Sequence, residues 1–67
     1  MLVTINSQKV DILPEQHLKQ VLLDNNYQQF QGIAVAINDV VIPKSEWETT
    51  TMNEHDQILV ITATAEG

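Results

Sequence analysis

The chain is 67 residues long, 43% hydrophobic and free of cysteine. That makes it one small domain around a single core, and it excludes disulfides, thiol nucleophiles, zinc–thiolate sites and iron–sulfur clusters. Three lysines against nine Asp and Glu give a formal charge of −6, so nucleic acid finds no basic footprint and an anionic membrane surface repels the chain.

Residues 2–6 read as a strand, with Val3 and Ile5 on one face and Leu2 and Thr4 on the other. Asn6-Ser7-Gln8 is a polar turn, and residues 9–13 return as the second strand of a hairpin. Pro14 suits the first turn of a helix, where its missing N–H is no loss, and Glu15 complements the dipole there. Leu18, Val21 and Leu22 form one apolar stripe, and Asn25-Asn26 reads as a left-handed stop. After Gly32, residues 33–37 form the clearest strand: Ile33, Val35 and Ile37 share one face, Ala34 and Ala36 the other. Asn38-Asp39 is a tight turn, residues 40–42 are a short strand, and Pro43 ends it. Ser45 and Glu48 stand at capping-box spacing, so residues 45–48 are expected as one helical turn. Residues 49–52 read as a short edge strand and 53–56 as a turn. Residues 57–62 are the last strand, with Ile58 and Val60 on one face and Leu59 and Ile61 on the other.

The order is hairpin, helix, hairpin, short turn, strand: an α+β pattern with one helix packed on a mixed four- to five-stranded sheet. Residues 1–62 form the domain and 63–67 a flexible tail. Both faces of the last strand are apolar. Leu59 and Ile61 are therefore expected to form part of an exposed docking patch beside the tail. The first residues carry no basic stretch, and the longest apolar runs fall well short of the ~20 residues that span a bilayer. A cytoplasmic protein, monomeric when free, is expected.

Catalytic chemistry finds little support. His17 and His55 lie far apart with no second ligand at metal spacing, so both read as surface residues and no metal site is expected. Glu46 and Glu48 do not face each other on a helix. With glycine only at Gly32 and Gly67, no phosphate-cradling loop exists. Trp47 reads as a core residue closing one end of the sheet.

Val35-Ala36-Ile37-Asn38, Val41-Ile42-Pro43-Lys44, Trp47 and Asp56-Gln57-Ile58 together resemble the motifs of the ThiS family, the sulfur carriers of bacterial thiamine biosynthesis. The likeness covers essentially the whole chain and implies the ubiquitin-like β-grasp fold. It also implies a carrier rather than an enzyme. In the family a ThiF-like partner adenylates the C-terminal glycine carboxylate with ATP. Sulfur drawn from cysteine by a desulfurase then converts it to a thiocarboxylate, and the thiazole synthase ThiG takes the sulfur. Carried over, Gly67 is the attachment point and Ala65 and Glu66 thread the partner's site. The carrier itself binds no cofactor. The chain departs from the family at Glu66, where the family has glycine, and at His55, where glycine usually precedes the aspartate. Two other readings stay open: a related carrier, such as the small subunit of molybdopterin synthase, and a β-grasp module that binds without covalent chemistry.

Overall fold

The computed structural model describes residues 1–27 and 30–62. Two hairpins frame it. Strands β1 (Leu2–Ile5) and β2 (Gln8–Asp11) pair antiparallel from Ile5 opposite Gln8. Strands β3 (Ile33–Ile37) and β4 (Val40–Ile42) pair from Ile37 opposite Val40. Each hairpin turns in two residues at positive φ: Asn6 and Ser7 at 51° and 73°, Asn38 and Asp39 at 51° and 71°. That is the φ signature of a type I′ turn, whose twist matches the strands it joins, and Asn and Asp tolerate it best after glycine.

The last strand, β5 (Gln57–Thr62), lies between the hairpins, parallel to β1 and antiparallel to β3. The sheet order is β2-β1-β5-β3-β4. With helix α1 (Leu18–Asp24) as the second layer, this is the five-stranded form of the expected β-grasp. Leu18, Val21 and Leu22 are fully buried in one cluster with Val3, Ile5, Val35, Ile37, Ile58 and Val60 of the sheet. Trp47 closes the cluster, with Nε1–H donating to the Ile42 carbonyl at 2.9 Å and the Phe30 ring meeting it edge-on at 5.4 Å.

The helix starts at Leu18, later than Pro14 suggests. Pro14 and Glu15 form a turn, and His17 is extended and bridges Thr51. The first helical N–H groups find their acceptors in a distant segment: Leu18 N–H donates to the Thr50 carbonyl at 2.8 Å and Lys19 N–H to the Trp47 carbonyl at 2.9 Å. These contacts replace a side-chain cap. Residues 49–52 form only a single bridge, His17 with Thr51, rather than the expected edge strand. The capping box does not form either. The short 3₁₀ turn (Lys44–Glu46) starts one residue early, behind Pro43, without a side-chain cap.

The helix stop is as expected. Asn26 sits at φ 75°, its N–H donates to the Leu23 carbonyl at 3.2 Å, and Tyr27 N–H donates to the Leu22 carbonyl at 2.9 Å. Those two bonds make a Schellman motif with asparagine in the left-handed position. A hydrogen bond from Lys19 at 2.8 Å, and then its charge, hold the Glu48 carboxyl below the usual carboxylate range. Folding lowers this pKa, so the pair stabilises above the unfolded value and its effect fades as pH falls through the folded one. Both side chains are in solvent, and screening keeps the contribution small.

Two stability changes follow. Leu22→Ala is expected to cost about 2–5 kcal/mol, a large share of the roughly 3–10 kcal/mol that a domain of this size commands. A urea titration checks it. His55 is exposed and held at φ 69°. There His55→Gly relieves ~1–2 kcal/mol of left-handed strain against ~0.5–1 of added backbone entropy cost, so the urea midpoint should rise.

Candidate functional site

The helix covers one face of the sheet. Nothing among the described residues covers the other. Alternation along β5 divides its side chains cleanly: Ile58 and Val60 are buried, whereas Leu59 and Ile61 are 47% and 52% exposed. Register supplies their neighbours. Leu59 lies opposite Ala36, and Ala36 opposite Val41, so one row crosses three strands; Ile61 lies opposite Ala34 in the next. Each alanine gives a low floor beside taller side chains. Ala36 is only 9% exposed although it belongs to the open face, whereas Val41 is 70% exposed. The result is a shallow apolar surface over β3, β4 and the outer half of β5.

Reading single strands missed Val41. The signal was available, because a two-residue turn after Ile37 fixes Val41 opposite Ala36 on the alanine face. Toward the start of β5 the same face turns polar. A depression there is lined by Thr4, Asn6, Ser7, Asp39, Gln57 and Leu59.

The one buried carboxylate among the described residues has a structural task. Asp56 Oδ1 accepts from Asn38 Nδ2 at 2.9 Å and Oδ2 from Asn53 N–H at 2.7 Å. It ties the β3–β4 turn to the start of β5, which accounts for an aspartate directly before that strand. His17 and His55 are both exposed. Among the described residues no cluster of His, Asp and Glu has the makings of a metal site, and no helix is long and apolar enough to cross a membrane.

The structure thus brings Leu59 and Ile61 together on one open surface. The other predicted site residues, Ala65, Glu66 and Gly67, lie outside the described residues. They follow closely in sequence on Thr62, which ends β5 opposite Ile33.

The fold is similar to that of the crystal structure of the thiamine biosynthesis protein ThiS from Geobacter metallireducens, with a TM-score of 0.84, 17% sequence identity and 100% of both chains covered. At that identity the likeness concerns the fold. No curated protein matches the chain. In sequence, the ThiS family matches residues 3–65, from the first strand into the final segment. The chain belongs to the ThiS family.

Proposed function

We propose that this protein carries sulfur for thiazole formation in thiamine biosynthesis, as a thiocarboxylate at Gly67. The observation that carries the reading is the family match over residues 3–65. The fold is compatible with it, since the strand that leads to Gly67 lies in the middle of the sheet and is paired on both sides.

The chemistry follows from the weakness of a carboxylate as an electrophile. Its negative charge is delocalised and repels a nucleophile. Attack of one carboxylate oxygen on the α-phosphorus of ATP gives an acyl-adenylate and releases pyrophosphate. A hydrosulfide-level nucleophile then adds to the acyl carbon, and AMP leaves with the bonding electrons. The product is a thiocarboxylate. When a thiazole synthase such as ThiG takes the sulfur and an oxygen takes its place on the acyl carbon, the carboxylate returns. ATP is consumed by a ThiF-like partner; a cysteine desulfurase supplies the sulfur as an enzyme-bound persulfide, and a thiol that ends as a disulfide supplies the two electrons that bring it to the hydrosulfide level. The carrier contributes the end group and a surface to hold; it is not itself the enzyme, and it acts in the cytoplasm as a monomer.

In this reading Leu59, Ile61 and Val41 are the apolar dock, and Ala65 and Glu66 pass through the partner's channel. Net negative charge speeds encounter with a basic partner face. Glu66 requires a channel that accepts a carboxylate at the penultimate position. The same residue favours a second reading, a β-grasp module that binds through its open face with no covalent step.

Incubation with the organism's own adenylating enzyme, ATP and sulfide is expected to exchange one oxygen of Gly67 for sulfur, as read by intact mass and fragmentation. An unchanged mass, alongside a chain with Glu66→Gly that is converted, would leave the binding module as the better account. One residue added after Gly67 should abolish conversion. Leu59→Asp and Ile61→Asp should each weaken partner binding by about tenfold or more while leaving the fold intact, because both sites are exposed. Titration calorimetry measures that loss, and unchanged affinity would remove the patch from the docking surface.

A further inference from the structure

We propose that Asn6 is a positioning residue for the reacting end of the chain: its side-chain amide stands in for the next residue of β1 and pins β5 at Val60, fixing the point from which residues 61–67 are presented. The proposal rests on the carrier reading and deepens it.

β1 runs beside β5 only briefly, with Thr4 opposite Gln57 and Ile5 opposite Ile58. Beyond the ladder between the paired residues, its main chain donates Thr4 N–H to the Asp56 carbonyl and Asn6 N–H to the Ile58 carbonyl, both at 2.9 Å. At Asn6 and Ser7 the chain turns away into β2. β5 continues to Thr62. The next peptide groups facing this flank belong to Val60, and no strand remains to meet them.

Asn6 meets them with its side chain. Oδ1 accepts from Val60 N–H at 2.8 Å, and Nδ2 donates to the Val60 carbonyl at 3.3 Å. A carboxamide has a planar acceptor and donor, as a peptide group does, so it can continue a ladder for one step. Aspartate offers only the acceptor. Nδ2 also donates to the Tyr27 hydroxyl at 3.5 Å. On its other flank Val60 pairs with Val35. Val60 is therefore held from both sides, whereas Ile61 and Thr62 pair only with Ala34 and Ile33.

Loosening Val60 lengthens the segment that a partner must order before reaction, which raises the concentration needed for capture.

The turn chemistry makes a clean test available. Asn6→Gly keeps the positive φ and removes the amide; Asn6→Asp keeps the acceptor alone. Asn38→Gly is the control, because that residue occupies the equivalent turn and accepts from Gln57 N–H at 2.9 Å, at the opposite end of β5. The wild-type chain and the three variants are compared in hydrogen exchange and in ATP-dependent conversion by the organism's adenylating enzyme, at a temperature where all are folded. For Asn6→Gly, Val60 N–H should exchange at least about tenfold faster than in the wild type, relative to Val35. Its KM as a protein substrate should rise about tenfold at nearly constant kcat, with Asn6→Asp between and Asn38→Gly within about twofold of wild type. Equal KM values for Asn6→Gly and wild type would overturn the proposal, as would equal losses in Asn6→Gly and Asn38→Gly, which would mark a loss of stability alone. A wild-type chain that is not converted while its Glu66→Gly form is would overturn the carrier reading for this chain, and the positioning role with it. The two failures are therefore distinguishable.

Discussion

The central strand of this protein is under-supported on one flank, and a side-chain amide makes up the difference. β5 has a full antiparallel neighbour in β3 and only a short parallel one in β1. A central strand with unpaired N–H and C=O groups would carry a penalty of order 1–3 kcal/mol for each group buried without a partner. Asn6 removes it on the β1 flank at Val60, while on the β3 flank Asn38 meets Gln57 N–H and the Asp56 carboxylate at the start of the strand. Both asparagines also occupy positive-φ turn positions. One residue type thus satisfies two constraints at each hairpin, where glycine would satisfy only the turn.

The same arrangement decides which face is free. With β5 fixed in register between β1 and β3, Ile58 and Val60 must enter the core beneath α1 and Leu59 and Ile61 must leave it. A slip of one residue would exchange the pairs and put the core at odds with the helix. The open face is therefore a consequence of the packed one. Its alanines keep it low, and its valine, leucine and isoleucine keep it apolar. An apolar area of that kind on a chain with net charge −6 suits a partner whose own face is apolar at the centre and basic at the rim.

Much of this was legible from the residues. Strand alternation placed Val3, Ile5, Ile58 and Val60 inward, and helical spacing placed Leu18, Val21 and Leu22 together. Asn25-Asn26 announced the helix stop because asparagine is the best non-glycine residue for it. Pro14 misled, since a proline suited to a helix start suits a turn equally well and local preference could not see the Trp47 and Thr50 carbonyls that receive the helix. Ser45 and Glu48 misled for a like reason: Pro43 already directs the chain into a tighter turn. The exposed apolar residues were legible in β5 but not across strands, because Val41 joins Leu59 only through Ala36. The amide contacts of Asn6 were beyond reach, as its partner Val60 is 54 residues away.

The proposed carrier role, with its reactive end, sets opposed requirements. The end must leave the fold to enter a partner's site, and the fold must still present it reproducibly. Here the two are separated at one residue. Through Val60 the chain is held on both flanks; from Ile61 onward the described residues are held on one. Leu59 and Ile61 bracket that boundary on the open face. A partner that docks there contacts the strand at the point where its support changes. In the proposed reading docking and presentation need no conformational relay between them, because they share one segment of backbone.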